Sequence, residues 1–409
     1  MPTAATRIGT MISNGLLPAL LVCLLVMPAG LTGCQTTQKT ASSKAASDMR
    51  QDERVLQQLE NEYAIGPRKA RSFGYRIGWQ APQGNKNLLK IFPQGDSVFT
   101  LSDENLLHRL TADSGTRIWT ATAGTPGDNI LGINYIPGIN RVYVLRDGSI
   151  MTLDSGNGIL ALDKTDTPIQ KLQWLANTAA VVLGDNLIYG ARAGELVWHT
   201  YEIGFAFKAY KIGEHVNMKP LVTGDTVIGV ASTGEIVAID GRKLTKIWRQ
   251  RVLDRVMAEP GVNDNALYVA SMDQYLRAFS LVNGNILWRA LTESPLRDSP
   301  TPLGSNVYQQ IPGYGLACYE ALPVNRFDGL RKWITPEITG SVVTTRGNNL
   351  ITWDEEARQL GIISASTGTV EMIMNLDSVE MLITDKMEEG RIYTLDDRGR
   401  LDCLIPLAN

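Results

Sequence analysis

The sequence predicts an all-β fold, an eight-bladed β-propeller of four-stranded antiparallel blades, from two observations. Beyond residue 70 the apolar residues alternate with period two and turn residues interrupt them every few positions, which is typical of strands. A longer repeat of 40 residues is also present, since it separates Pro220, Pro260 and Pro300 and likewise Trp248 and Trp288. Four antiparallel strands in ~40 residues is characteristic of a propeller blade.

The clearest repeat, ALYVASMDQYLRAFSLVNGNILW, covers residues 266–288. Pro260 precedes the first strand, where no backbone donor is needed. The next two predicted strands, LYVAS and LRAFS, are rich in β-branched and aromatic residues. Asn283 and Gly284 form a turn in which glycine adopts a positive φ without strain, and the fourth strand ends at Trp288. Stacking blades around an axis buries both faces of each sheet, so this tryptophan is expected to fill the space between neighbouring blades.

Counting the ends of fourth strands gives eight blades. Six of these ends are predicted structural tryptophans: Trp79, Trp119, Trp174, Trp248, Trp288 and Trp333. The other two lie near Tyr210 and Met372, and seven blades is the alternative if DNLIYG belongs to a neighbouring blade. The last copy, residues 390–406, stops before its fourth strand, whereas FGYRIGWQA at residues 73–81 has no preceding copy. We therefore expect this N-terminal strand to close the last blade, which removes open sheet edges.

Residues 1–33 are expected to be a lipoprotein signal peptide. The apolar run LLPALLVCLLVM is shorter than the ~20 residues that span a bilayer, and it fits a secretory signal. LTGC, which ends at Cys34, resembles a bacterial lipobox, and this resemblance implies that Cys34 is lipidated and begins the mature chain. Gln35 follows in place of the aspartate that retains lipoproteins in the inner membrane, which implies the outer membrane, facing the periplasm. The alternative is an ordinary signal peptide or a chance cysteine.

Three further segments follow the signal. Residues 34–48 are small and polar, which predicts a flexible tether. Residues 49–72 are expected to form a short helix and a lead-in, because apolar residues spaced by four share one helix face before Gly66 and Pro67 end the run. The propeller is then predicted over residues 73–409.

The best copies resemble the repeat of pyrroloquinoline-quinone (PQQ) type propellers. LYVASMDQYLRAFSLVNGNILW, with Pro260 before it, resembles that family's pattern of Pro, Val-Tyr, Asp-Gly, Leu-Ala-Leu, Thr-Gly and Trp. The resemblance covers roughly residues 73–406 and is poorest in blades two, three and seven. One branch of the family contains quinoprotein dehydrogenases, and another contains the non-enzymatic BamB-type lipoproteins of the outer-membrane β-barrel assembly machinery. The anchor, the tether, the blade count and the length all resemble the second branch.

The sequence offers no catalytic or metal-binding pattern. His108, His199 and His215 lack metal-ligand spacing, and the vicinal cysteine pair typical of quinoprotein dehydrogenases is missing. Cys318 and Cys403 are predicted to be buried strand thiols, although pairing between them is possible. A formal net charge of -3 argues against a nucleic-acid partner. We therefore expect no catalytic residue, no metal and no cofactor.

The resemblance implies a non-enzymatic, lipid-anchored scaffold that assists the assembly and insertion of outer-membrane β-barrel proteins. Its expected partner is the barrel-assembly machinery, bound through rim loops, with membrane attachment through the lipid. Two charged loops, RQRVLDRVMAE and RALTESPLRDS, supply the interface candidates Asp254, Arg255, Arg297 and Asp298, for which solvated loop charges are the alternative interpretation. The alternative functions are binding of another envelope protein or a glycan and, least favoured, a quinoprotein-type dehydrogenase.

Overall fold

The structure is a computed structural model that describes residues 51–82 and 88–408. The predicted signal peptide, Cys34 and the tether lie outside the described residues. Contacts divide the chain into two units, Met1–Val55 and Leu56–Asn409. Residues 51–62 are helical and are called α1, of which the residues from Leu56 onward belong to the second unit. In the second unit a short helix, α2 (Pro67–Ser72), precedes the strands.

The strands of the described residues form eight four-stranded sheets, and every pairing within them is antiparallel. The first four sheets are blades 1 to 4. Blade 1 contains β2 (Leu88–Gln94), β3 (Ser97–Ser102), β4 (Leu106–Thr111) and β5 (Arg117–Thr122). Blade 2 contains β6 (Ile130–Ile136), β7 (Arg141–Arg146), β8 (Ser149–Asp154) and β9 (Ile169–Lys171), with a 3-10 turn at Pro137–Ile139. Blade 3 contains β10 (Val181–Leu183), β11 (Asn186–Gly190), β12 (Glu195–Thr200) and β13 (Phe205–Lys211). Blade 4 contains β14 (Leu221–Thr223), β15 (Thr226–Val230), β16 (Glu235–Asp240) and β17 (Thr245–Arg251).

The remaining sheets are blades 5 to 8. Blade 5 contains β18 (Gly261–Val262), β19 (Ala266–Ala270), β20 (Tyr275–Ser280) and β21 (Ile286–Leu291). Blade 6 contains β22 (Thr301–Leu303), β23 (Asn306–Ile311), β24 (Gly315–Glu320) and β25 (Arg331–Thr335). Blade 7 contains β26 (Ser341–Arg346), β27 (Asn349–Asp354), β28 (Gln359–Ser364) and β29 (Val370–Asn375). Blade 8 contains β30 (Val379–Thr384), β31 (Ile392–Asp396), β32 (Arg400–Pro406) and β1 (Tyr75–Pro82).

The eight-bladed propeller predicted from the sequence is confirmed. The DNLIYG segment provides β11 of a separate blade, so the seven-blade alternative is wrong. The closure by the N-terminal strand is also confirmed, since β1 pairs with β32 from Tyr75 opposite Pro406 to Pro82 opposite Arg400. The last blade therefore takes three strands from the end of the chain and one from the start.

The core lies between the blades. In β16, Ile236 and Ala238 join a buried cluster with Leu267 of blade 5, whereas Val237 and Ile239 join a cluster with residues of blade 3. Side chains on both faces of β16 are therefore buried, which explains why this strand is apolar from Ile236 to Ile239 rather than alternating. A blade buries both of its faces only when it has a neighbour on each side.

The fourth-strand tryptophans connect adjacent blades. Trp288 donates from Nε1 to the Ala321 carbonyl of blade 6 at 2.8 Å. Four other tryptophans make the same bond to the next blade: Trp79 to Ala112 (2.9 Å), Trp119 to Ser155 (2.6 Å), Trp248 to Leu281 (2.8 Å) and Trp333 to Ala365 (3.3 Å). The ring also covers a glycine, because a Cβ on Gly284 would lie 2.6 Å from the Trp248 ring. Each of these tryptophans thus packs on the third-to-fourth turn of its neighbour.

The placement of Trp174 at the end of a fourth strand is wrong. Strand β9 ends at Lys171, and Trp174 lies beyond it, half-buried against the core between blades 2 and 3. The long connection over residues 155–168 displaces the fourth strand, so that Thr152 donates from its backbone N to the carbonyl of Pro168 at 2.9 Å. In blade 4 the residue that corresponds to Thr152 is Ala238, which lies opposite Trp248.

The two substitutes proposed for the missing tryptophans have different outcomes. Met372 lies opposite Ile362 next to a bulge, where Trp248 lies opposite Ala238 in blade 4, so this residue occupies the expected position. Tyr210 does not, since it lies opposite Leu196. The corresponding residue of blade 3 is Lys208, opposite Trp198 of the third strand.

Candidate docking face

The turn at residues 271–274 of blade 5 brings the two charged loops together. Met272 donates from its backbone N to the Arg255 carbonyl of the first loop, residues 252–260, at 2.9 Å. In the second loop, residues 292–300, Thr292 donates to the Gln274 carbonyl at 2.9 Å. Both loops connect the fourth strand of one blade to the first strand of the next. The two loops and this turn are called the docking face below.

The first loop alternates buried and exposed side chains. Val252 and Val256 are buried, and their backbone N atoms bond to blade 4 at Gly234 (3.0 Å) and Ser232 (3.1 Å). Leu253, by contrast, is 88% exposed. Because its backbone is bonded to blades on both sides, the loop has a defined shape before any partner binds.

The exposed side chains of this loop are of two kinds. Leu253 and Met257, the latter 55% exposed, are apolar. Asp254 and Arg255 are charged and exposed, and Asp254 Oδ1 accepts a hydrogen bond from the Arg255 backbone N at 2.7 Å. The loop therefore combines apolar contact area with charges of both signs.

The second loop presents its two candidate charges unequally. Leu296 is fully buried and its backbone N bonds to the Ser271 carbonyl at 3.3 Å, which anchors the loop. Arg297 is exposed. Asp298 is half-buried, and burial together with the nearby Asp354 raises the pKa of its carboxyl group. Three of the four predicted charges are therefore exposed, and Asp298 is not.

A buried ion pair that the sequence reasoning missed supports the turn. Arg277 bonds to Asp273 at 2.7 Å, with side chains only 6% and 11% exposed, and its guanidinium lies 4.7 Å from the Tyr275 ring centroid. Burial favours the neutral acid, but the bonds from Arg277 and Ser271 outweigh it and lower the pKa of Asp273. Blade 8 repeats the spacing with Arg400 and Asp396 at 2.7 Å. In both pairs the acid stands four residues before the arginine, and a search of the repeat copies for this spacing would have found them.

Two of the three histidines, His108 and His199, are buried, and so are Cys318 and Cys403. His199 is buried with Nε2 2.8 Å from Gln170 Oε1, and burial lowers its pKa to about 4. His108 Nδ1 lies 2.7 Å from Thr120 Oγ1. Cys318 and Cys403 are unpaired and buried, as predicted, and burial raises the pKa of each thiol to about 12.

Two further observations on residues 51–82 and 88–408 concern metal binding and membrane spanning. Three or more His, Cys, Asp or Glu side chains are nowhere grouped so as to hold a metal ion there. The same residues include no helix with the length and hydropathy needed to span a membrane.

The fold and repeats define a closed eight-bladed propeller whose blades interlock through tryptophans. The family model described as outer membrane protein assembly factor BamB matches residues 76–198 and 186–333. The chain belongs to this family, and the predicted resemblance to BamB-type propellers with PQQ-like repeats is confirmed.

Solved structures share the fold at low sequence identity. The crystal structure of BamB from Moraxella catarrhalis is 18% identical, with a TM-score of 0.62 over 81% of this chain and 97% of that chain. The computationally designed Ika8 protein is 10% identical, with a TM-score of 0.61 over 80% of this chain and 98% of that chain. The search of curated proteins gave no match. At these identities, the likeness to solved structures concerns the fold alone.

Proposed function

We propose that the protein is a non-enzymatic, lipid-anchored scaffold of the bacterial envelope that assists the assembly of outer-membrane β-barrel proteins. Its partner is the barrel-assembly machinery, and its location is the outer membrane, facing the periplasm. The observation that carries this proposal is membership of the family described as outer membrane protein assembly factor BamB. The docking face supplies a surface on which such a partner could bind.

The physical properties of the docking face support this role. Loops bonded to the blades on both sides lose little conformational freedom on binding, so less of the contact energy is spent on ordering. Leu253 and Met257 provide exposed apolar contact area, and Asp254, Arg255 and Arg297 provide exposed charges. Charges of both signs select the partner and its orientation more than they raise the affinity.

A pull-down from gently solubilised membranes tests the partner. We expect co-purification of the barrel-assembly complex, and reduced levels of large outer-membrane barrels in a deletion strain. Leu253→Ser combined with Asp254→Arg should weaken the association. The matched control is Val282→Ser, because Val282 is 81% exposed, similar to Leu253, but lies at the opposite end of the blade 5 strands.

Two results would contradict parts of this proposal. Equal loss of association in the Val282→Ser variant would remove the docking face from the proposal but not the partner. Normal barrel levels without any association would remove this partner and leave another envelope protein or a glycan as the ligand.

The lipid anchor is tested by mass spectrometry of the N-terminal peptide of the mature protein. We expect the chain to begin at Cys34 with acyl groups on that residue, and Cys34→Ala to release the protein from membranes. An unmodified terminus elsewhere would contradict the anchor. Two or more acyl chains suffice for stable membrane attachment.

The non-enzymatic role has a direct test of its own. Purified protein supplied with PQQ and calcium should show no quinone absorbance and no dye-linked alcohol oxidation. Activity in this assay would establish a quinoprotein-type dehydrogenase and overturn the scaffold proposal.

A further inference from the structure

A groove of about 460 Å³ lies on the propeller unit where the lead-in meets the closing strand. One wall is the part of α1 from Leu56 onward, with Leu59 and Tyr63, and the other includes Ile77 of β1. These side chains make the lining largely apolar. The volume falls within the range of sites that take one small molecule, ~300–1,000 Å³.

The walls of the groove are attached firmly to the propeller. Ala64 donates from its backbone N to the buried carboxylate of Asp402 in β32 at 3.1 Å. The carboxylate of Glu60 accepts the backbone N–H groups of Arg68 at 2.9 Å and Lys69 at 3.3 Å. The bond to Asp402 fixes the lead-in against β32, and the bonds to Glu60 fix α1 against α2.

The polar lining of the groove is cationic. Three arginines, Arg68, Arg71 and Arg76, line the groove, and none of its lining residues is acidic. The surrounding stretch PRKARSFGYR also contains Lys69 and no acid, in a chain whose formal net charge is -3. In residues 51–82 and 88–408, no carboxylate forms an ion pair with Arg71 or Arg76. A lining of apolar side chains together with arginines is complementary to an anionic amphiphile.

We propose that this groove binds an anionic phospholipid, with the phosphate against Arg71 and Arg76 and an acyl chain against Leu56 and Leu59. Basic clusters beside an apolar helix face bind anionic lipid with ~1 kcal/mol for each cation near the surface. A volume of about 460 Å³ is near that of one acyl chain and smaller than that of two turns of a peptide helix, which favours a lipid chain as the occupant. Binding here requires neither acylation of Cys34 nor the partner of the docking face, so its failure and theirs are distinguishable.

Native mass spectrometry of the full chain in non-ionic detergent, with added lipid, tests the proposal. We expect adducts with phosphatidylglycerol and few with phosphatidylcholine. Arg71→Gln with Arg76→Gln should weaken phosphatidylglycerol binding about thirty-fold, which corresponds to ~1 kcal/mol for each cation removed. The matched control is Arg117→Gln with Arg242→Gln, because these are exposed arginines on other blades, and it should bind as the unmodified chain does.

A second variant tests the apolar wall formed by α1. Leu56 is 39% exposed, so Leu56→Ser should leave the fold intact and weaken lipid binding roughly fivefold, ~1 kcal/mol of lost apolar contact. Equal binding of both lipids, or equal loss in the Arg117 and Arg242 control, would overturn the proposal. A photo-crosslinker in place of Tyr63 should capture lipid in intact membranes, and capture of a protein there would identify a peptide as the occupant and refute the lipid.

Discussion

Blade 5 and blade 3 solve the same packing problem with different residues. In blade 5, Trp288 is fully buried, donates to the Ala321 carbonyl at 2.8 Å, and stacks on Tyr319 with ring centroids 6.0 Å apart. In blade 3 the corresponding position is the exposed Lys208, and the fully buried Trp198 occupies the interior from the third strand. The propeller therefore requires a filled space between blades rather than a particular residue at a particular position.

The packing of blade 3 leaves buried polar atoms without hydrogen bonds, which costs free energy. Trp198 Nε1 and His199 Nδ1 are buried without a hydrogen-bond partner, whereas Trp288 Nε1 is bonded. A buried unpaired donor or acceptor costs ~1–3 kcal/mol. We expect blade 3 to be the less stable of the two, and the following experiments sharpen or contradict this comparison.

The largest expected effect is in blade 5. Trp288→Ala should lower the free energy of unfolding by ~3–5 kcal/mol, because it removes a fully buried aromatic ring and its bond to blade 6. Urea unfolding measures this. The half-buried Trp174, outside any strand, is the control, and Trp174→Ala should cost ~1 kcal/mol. Similar losses from both variants would contradict the special role of the fourth-strand position.

Acid is expected to destabilise the protein through His199 of blade 3. Burial lowers the pKa of His199 from 6.5 to about 4, so the unfolded chain binds more protons than the folded one between these values. Stability should therefore fall as the pH drops from 6.5 towards 4, by on the order of 3 kcal/mol from this residue. In His199→Gln that part of the pH dependence should vanish. An unchanged slope would show that His199 is not the group responsible.

An intermediate effect is expected where a tryptophan covers a glycine. Gly284 has φ 72°, and an added Cβ would lie 2.6 Å from the Trp248 ring, so Gly284→Ala should cost ~2–3 kcal/mol. Gly224 has φ 55° and open space around it, so Gly224→Ala should cost only the backbone strain of ~1–2 kcal/mol. Thermal unfolding of the two variants compares them directly. Equal losses of stability in the two variants would mean that the contact with the Trp248 ring adds no destabilisation.

The smallest effect on stability is expected on the docking face. Asp254→Ala and Arg255→Ala should each change the free energy of unfolding by at most ~0.5 kcal/mol, because both side chains are exposed. The same variants should reduce co-purification of the partner. A large loss of stability instead would show that these charges hold the loop rather than a partner.

The sequence determined the architecture because the repeat carries local information. The 40-residue spacing of Trp248 and Trp288, the glycine turns and the period-two strands predicted eight blades, with seven as the alternative, and closure by the strand containing Trp79. Each of these signals depends on neighbours in sequence or on one preferred backbone conformation. The prediction failed at Trp174 because the long connection before it displaces the fourth strand. It failed at Tyr210 because Lys208 occupies the position of the tryptophan in blade 3.

Only the tertiary structure decided which charged residues share a face and which groove exists. The turn at residues 271–274 brings Arg255 and Leu296 to one surface through backbone bonds to residues distant in sequence. Asp402 likewise holds Ala64, 338 residues away, and so places Arg71 and Arg76 beside an apolar groove. Such contacts arise from the packing of whole blades and from ring closure, which no local pattern encodes.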